Sequence, residues 1–468
     1  MSASYVPRIL VAGTHSGVGK TTLTVGILAG LRRRGLQVQP FKVGPDYIDP
    51  TYHSLAAGRE ARNLDAWMVP RQRIPGLFLQ AAQGADLALV EGVMGLYDGF
   101  DYQGERGSTG EMAKLLGVPT ILVVDAQAMA RSAGALVLGY RAFDPDLPLV
   151  GVIVNRVGSE GHGQGVAQAI QDATGLPVLG WLPRADGLAV PERHLGLVPT
   201  QEMGRAREFV DAARAHVERH VDLDGLLALA RRAPSLDRPT PPPQVRRVAG
   251  QETPVLAVAQ DPAFSFTYPE NLALLQAAGA RIEPFSPLQD PELPRGTGGV
   301  LLSGGFPELY APELARNTAM HEALRQAHRQ GVPIYAECGG LMYLTQAIVD
   351  LAGKRHPMVG LLPGHSAMAE RLILGYREAE AWADSWLWRR GERIRGHEFH
   401  HSRWEGRPPF LPPAYRLLPT RPGSSPRPEG ACLGSLWASY VHLHLWARPE
   451  VAERFVAAAL RARRRRTP

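Results

Sequence analysis

Two short stretches carry residue types whose spacing can do chemistry. The first is Gly13-Thr14-His15-Ser16-Gly17-Val18-Gly19-Lys20-Thr21-Thr22. Gly17 and Gly19 let backbone N–H groups converge on phosphate oxygens, Lys20 can neutralise the outer phosphates, Thr21 can hold Mg2+, and Thr22 continues a helix start whose positive end faces the same point. Such a loop binds ATP or GTP. It departs from the usual spacing by one residue, because Thr14 stands where the first glycine is expected and Gly13 lies one residue early. The second stretch is Glu337-Cys338-Gly339-Gly340, a thiol between an apolar run and a helix start. An elbow of this kind exposes a nucleophile, and the helix N-terminus favours its thiolate.

A nucleophilic thiol needs a base. Ser439-Tyr440-Val441-His442-Leu443-His444 offers two imidazoles far downstream, a separation that a fold can close. A further glycine pair, Gly304-Gly305, follows an apolar run, so the N–H groups of Gly305 and Gly339 could form an oxyanion hole. Cys432 follows no comparable elbow and reads as structural. Lysines are scarce: Lys20, Lys42, Lys114 and Lys354 stand against 51 Lys plus Arg. A compact point charge kept against that bias suggests that Lys20 and Lys42 face phosphate or carboxylate.

The elements that must position these groups follow from the apolar pattern. Strand-like runs at Ile9–Ala12, Val38–Val43, Leu87–Val90, Thr120–Val124, Leu149–Val154 and Val178–Trp181 alternate with helical stretches. That predicts an α/β fold, a doubly wound parallel sheet over residues 1–200 with its chemistry at the C-terminal strand ends. Residues 201–251 read as a helical segment, Glu202–Ala230, followed by a Pro-rich linker at Pro234, Pro239, Pro241, Pro242 and Pro243. A second α/β domain is expected over residues 252–460, with strands at Val255–Ala259, Val300–Leu302 and Pro333–Ala336 and helices at Pro269–Ala278 and Pro312–Arg329. Residues 461–468 form an Arg-rich tail.

Composition excludes several classes. Apolar content of 45% with 21% charged residues is globular, and the net charge of +6 falls near neutral once the five tail arginines are set aside. The tail is read as a solvated terminus, so no nucleic-acid partner is expected. Two cysteines without paired spacing, no signal-like N-terminus and no long apolar run point to a cytoplasmic enzyme with no membrane partner.

The cysteine elbow, the glycine pair and the downstream histidine resemble the class I glutamine amidotransferases, which release ammonia from glutamine through a cysteine thioester. That family usually places Glu two residues after the histidine, where this chain has His444. The resemblance therefore supports a Cys338–His442 pair and leaves its orienting group unassigned. Ammonia cannot displace the oxygen of a carboxylate unaided, whereas γ-phosphate transfer from ATP makes a leaving group. Three further segments, Phe41-Lys42-Val43-Gly44-Pro45-Asp46-Tyr47-Ile48-Asp49-Pro50, Asn63-Leu64-Asp65 and Val90-Glu91-Gly92-Val93-Met94-Gly95-Leu96-Tyr97-Asp98-Gly99, follow strands. Together with the loop and the cysteine domain they resemble the cobyrinic acid a,c-diamide synthase family over essentially the whole chain; the phosphate loop is also similar to that of dethiobiotin synthetase.

That resemblance implies ATP and Mg2+ as cofactors, with glutamine and a tetrapyrrole polyacid as small-molecule partners; a homodimer is left open. It implies Lys20 and Lys42 on the β- and γ-phosphates, Thr21, Asp65 and Glu91 around Mg2+, and Asp46, Tyr47, Asp49 and Asp98 along the substrate. It implies Asn155 as a reader of adenine. Two other readings of these segments are a partition-type switch ATPase, which has no need of Cys338, and a metal site in the His-rich stretch 395–402, whose alternation suits a strand or a site wall instead.

Overall fold

The computed structural model describes residues 5–185, 188, 192–193, 196–197, 205–236, 240–248, 252–420 and 425–466. Parts of the predicted helical segment (202–204), linker (237–239, 249–251) and tail (467–468) lie outside them. The chain divides into two units, Met1–Pro242 and Pro243–Pro468.

At the centre of the first unit is β1 (Arg8–Gly13), buried along its whole length because it has neighbours on both edges and helices on both faces. With β2 (Val38–Val43), β3 (Arg62–Leu64), β4 (Leu87–Glu91), β5 (Thr120–Asp125), β6 (Leu149–Val157) and β7 (Val178–Pro183) it forms a sheet of order β3-β2-β4-β1-β5-β6-β7. Every pairing in it is parallel. Helices α1 (Lys20–Arg33), α2 (Asp49–Ala57), α3 (Ile74–Ala81), α4 (Thr109–Leu115), α5 (Ser132–Phe143) and α6 (Glu160–Thr174) make the crossovers. Ser108 and Ser159 cap α4 and α6 by accepting from the N–H groups of Glu111 and His162. The chain runs outward from β1 to β2 and β3, returns through β4, and continues on the other side with β5. The loops after β1, β4 and β5 therefore meet at the point where the order reverses, which is where such sheets bind ligands.

The helical segment that precedes the linker packs within the first unit. It forms α7 (Ala206–His220) and α8 (Leu223–Ala230), divided where Asp222 caps α8 by accepting from Gly225 N. Phe209, Val210, Ala213 and Val217 give α7 one apolar face, and Gly26 lets it lie close to α1: a Cβ there would sit 2.6 Å from Ala213 O. Before α7 comes a short hairpin, β8 (Glu192–Arg193) with β9 (Gly196–Leu197).

The second unit has two sheets. β10 (Val255–Ala259), β11 (Arg281–Phe285), β12 (Thr297–Leu302), β13 (Ile334–Glu337), β20 (Ala431–Leu433) and β21 (Leu436–Ser439) form a sheet of order β11-β10-β12-β13-β21-β20. It is parallel except at β20–β21. Helices α9 (Pro269–Ala277), α10 (Ala311–Arg316), α11 (Thr318–Arg329), α12 (Gly339–Leu344) and α13 (Glu450–Arg466) accompany it. The single helix expected over Pro312–Arg329 is two, because Asn317 breaks the run and caps α11 through Met320 N.

The second sheet contains β14 (Ala347–Val349), β15 (Arg355–Pro357), β16 (His365–Ala381), β17 (Arg393–Glu405), β18 (Tyr415–Leu418), β19 (Arg427–Glu429) and β22 (His442–Leu443). It is antiparallel apart from β14–β16. The His-rich stretch is β17. The Arg-rich tail continues α13 as helix through Arg466, with Arg463 held by Glu252 and the carbonyl of Thr253.

Candidate active sites

In the first unit the phosphate loop leaves β1 and enters α1 through Gly19, whose φ of 98° is left-handed, as is the 80° of Gly17. Lys20 Nζ lies inside the loop, donating to Met94 O at 2.6 Å and His15 O at 3.2 Å. Burial, and then the neighbouring Lys42 ammonium, push its pKa down to about 8. Anionic phosphate oxygens would relieve both pressures, so Lys20 is poised to exchange carbonyl partners for a polyphosphate.

Beside it lies a buried charge cluster. Lys42 Nζ is 2.6 Å from Asp49 Oδ2 and 2.8 Å from Glu91 Oε1, and it also donates to Gly92 O at 3.1 Å. Thr21 Oγ1 donates to Glu91 Oε1 at 2.8 Å and lies 3.3 Å from Asp49 Oδ2. His53 Nε2 meets Glu91 Oε2 at 2.5 Å. Burial opposes the charge on Lys42, but Asp49 and Glu91 more than offset it and hold the ammonium well above its usual range. Burial likewise opposes ionisation of Glu91, and Lys42 and His53 overcome it, keeping that carboxylate well below the usual range. Asp49 shares Lys42 yet is pushed up to about 7, by burial first and then by Asp46. We regard Glu91 as the ionised member and Asp49 as the one whose charge waits for another cation.

A hydroxyl and two carboxylates within these distances form a hard-oxygen set suited to Mg2+, which uses one or two carboxylates and leaves its other positions to water and phosphate. No cluster of three or more His, Cys, Asp or Glu side chains suited to a metal occurs among the described residues. Asp49, expected along the substrate, pairs with Lys42 and lies beside Thr21 in the buried charge cluster. Asp46 is also drawn into local structure: its Oδ1 accepts from Ile48 N at 2.7 Å and Asp49 N at 3.2 Å, at the start of α2. Asp65 stands at the end of β3, its Oδ1 capping the turn at Trp67 and Met68. Tyr47 is buried nearby in sequence, and Asp98 Oδ2 accepts from Gly95 N at 2.9 Å.

Asn155 Nδ2 donates to Val18 O at 2.8 Å, and Gly19 has no room for a Cβ, which would sit 2.4 Å from that nitrogen. Asn155 lines a cavity of about 290 Å3 with Thr22, Gln127, Arg156, Arg184 and His216, the last from α7. Arg156 ties the loops together by pairing with Asp125 and donating to Gly17 O. The sequence reading missed Arg156, His53 and Met94. Only the first adjoins a residue it singled out.

In the second unit β13 ends at Glu337 and the chain turns through Cys338, at φ 44°, into α12. The positive-φ non-glycine residues among those described are Met94 after β4, Arg156 near the end of β6 and Cys338 after β13; such backbone costs free energy and persists where its surroundings enforce it. Burial, and then Glu308, push the Cys338 thiol far up, although the N–H of Gly339 is directed at its sulfur. A thiol held protonated needs a base at the moment of attack.

His442, in β22, is fully buried. Its ring lies against Gly304, where a Cβ would be 2.4 Å from Cε1, while a Cβ on Gly339 would be 3.1 Å from Gly305 N. The two glycine pairs, the thiol turn and the imidazole thus converge at the ends of β12, β13 and β21. β17 forms the wall: His397 is in register with His442, and Phe399 O lies 3.8 Å from Cys338 Sγ. Cys432 is half-buried on β20 and is a free thiol.

The sequence comparisons agree with this arrangement. Residues 9–198 match the family model described as a CobQ/CobB/MinD/ParA nucleotide binding domain, and residues 255–450 match that of a CobB/CobQ-like glutamine amidotransferase domain. Proteins named cobyrinate a,c-diamide synthase from Dehalococcoides mccartyi and Salmonella typhimurium are each 45% identical, over 96% and 97% of this chain and 97% and 98% of theirs. A hydrogenobyrinate a,c-diamide synthase from Streptomyces coelicolor is 43% identical over 97% of this chain and 98% of its own. A nucleotide-binding loop, a cysteine elbow with its imidazole, and relatives that match from end to end lead to one assignment: the chain belongs to the cobyrinate a,c-diamide synthase family of glutamine-dependent amide ligases.

Proposed function

We propose that this enzyme uses ATP and glutamine to amidate the a and c side-chain carboxylates of cobyrinic acid in the cytoplasm, through acyl phosphates. The observation that carries the reading is the pairing, in one chain, of a phosphate loop beside the Lys42–Asp49–Glu91 cluster with the Cys338–His442 elbow. Lys20 and Lys42 neutralise the β- and γ-phosphates, and Thr21, Asp65 and Glu91, joined by Asp49, would hold Mg2+, which would supply charge neutralisation on the phosphates. Asp46, Tyr47 and Asp98 line the acceptor, and Asn155 borders the base pocket.

Transfer of the γ-phosphoryl group to a substrate carboxylate gives an acyl phosphate and ADP. In the second unit, His442 takes the proton of Cys338 as sulfur attacks the glutamine carboxamide, and the N–H groups of Gly305 and Gly339 receive the oxyanion. Ammonia leaves with that proton, and water hydrolyses the thioester to glutamate. Ammonia then attacks the acyl phosphate carbon, the C–O bond breaks and phosphate departs.

The relatives are named for both the cobalt-containing and the cobalt-free substrate. Turnover with each tetrapyrrole, following ADP and glutamate, tests the choice. We expect one ATP and one glutamine consumed per amide, with cobyrinic acid preferred; preference for the cobalt-free acid contradicts it.

A further inference from the structure

An imidazole that accepts a thiol proton needs a partner to orient its ring, and a carboxylate in that place also balances the charge it gains. The position two residues later, where class I amidotransferases usually have Glu, holds His444. That side chain is buried, its Nδ1 accepts from Trp446 N at 3.3 Å, and desolvation pushes its pKa down to about 3. It brings no negative charge.

We propose that Glu337, the residue immediately before the nucleophile, is the positioning residue for His442. Its Oε2 lies 3.5 Å from His442 Nδ1. Its Oε1 is fixed from two sides, by Tyr335 Oη at 2.5 Å and by Leu443 N at 3.2 Å. The carboxylate is thus tied to the strand before the thiol and to the residue after the imidazole, so one group sets the relative position of both. With Nδ1 facing Glu337 at 3.5 Å, Nε2 is the nitrogen left to serve Cys338.

The other carboxylates in this neighbourhood are committed elsewhere. Glu398, on β17, accepts from Arg377 Nε at 2.5 Å and Arg427 Nη2 at 2.8 Å. Glu429, on β19, accepts from Ser439 Oγ at 2.6 Å and Tyr440 N at 2.7 Å. Glu308, after β12, acts on the thiol. His397 and His400, the titratable groups that β17 presents towards His442, are held neutral by burial, with pKa values of about 3 and 4. Tyr415, on β18, faces Glu337 and is itself kept un-ionised by burial.

The inference rests on reading Cys338–His442 as the glutaminase pair, and one set of variants separates the two. Glu337→Gln keeps an oxygen for Tyr335 and Leu443 and removes the charge. Its ratio of glutamine-dependent to ammonia-dependent turnover should fall about tenfold or more through kcat, with KM for glutamine within about twofold. In a Cys338→Ala background, 15N-histidine NMR should show the His442 imidazolium titrating about one pH unit or more lower when Glu337 is replaced by Gln. A glutamine kcat within about twofold of the parent, or an unmoved His442 titration, overturns the role of Glu337. Persistence of glutamine-dependent turnover in Cys338→Ala overturns the pair reading instead.

Discussion

Single side chains set the second site to within an ångström, and the glycines show it most directly. Gly304 has no Cβ because the His442 ring occupies that space, with Cε1 2.4 Å from where the atom would stand. Gly304→Ala must move the imidazole. Since a shift of about 1 Å can cost roughly 10²-fold in rate, glutamine-dependent kcat should fall by about that factor relative to ammonia-dependent turnover. Equal loss of both activities would mean that Gly304 supports the unit as a whole rather than this ring. At this scale the sequence was legible where a motif has fixed spacing: Lys20, Thr21, Cys338 and the glycine pairs announce themselves. Glu337 and His53 do not, because their partners lie on elements that meet only in the fold. The Asp49 salt bridge to Lys42 was hidden for a related reason, since a position beside substrate-type acids says nothing of it.

Among the elements, the buried parallel strands were readable because covering both faces demands continuous apolar runs. The second sheet of the second unit was not. β16 is only partly buried and carries Glu, Arg and Tyr among its apolar residues, so it offers no uniform run. Its partner β17 nevertheless brings His397 and His400 to the site wall, and β22 with the turn after it buries His442 and His444. These imidazoles impose a pH dependence. His397, His400 and His444 have folded pKa values of about 3, 4 and 3, below the usual unfolded value. A histidine depressed in this way contributes its stability fully above about pH 6.5 and loses it as pH falls, because the unfolded chain then binds the proton. At pH 5 the loss is about 2 kcal/mol per imidazole. Denaturant unfolding should therefore weaken between pH 7.5 and 5, and His444→Asn, which keeps an acceptor for Trp446 N, should remove about 2 kcal/mol of that dependence. An unchanged slope in the variant would refute the assignment.

The molecule as a whole comprises two units, each with a parallel or mostly parallel sheet whose candidate reactive groups lie at the strand ends. This organisation was visible in the sequence as a restart of the strand–helix rhythm after the prolines. The place of α7 was not, because Gly26, which lets α7 lie against α1, is one of two glycines within an ordinary helical run. No helix among the described residues is long and apolar enough to cross a membrane. In the proposed reaction one unit activates a carboxylate with ATP while the other makes ammonia from glutamine. Cys338→Ala, assayed first with glutamine and then with free ammonia, tests it most directly against Lys20→Ala. The account predicts that Cys338→Ala loses glutamine-dependent amidation and retains ammonia-dependent amidation, whereas Lys20→Ala loses both; loss of both activities in a folded Cys338→Ala protein would contradict it.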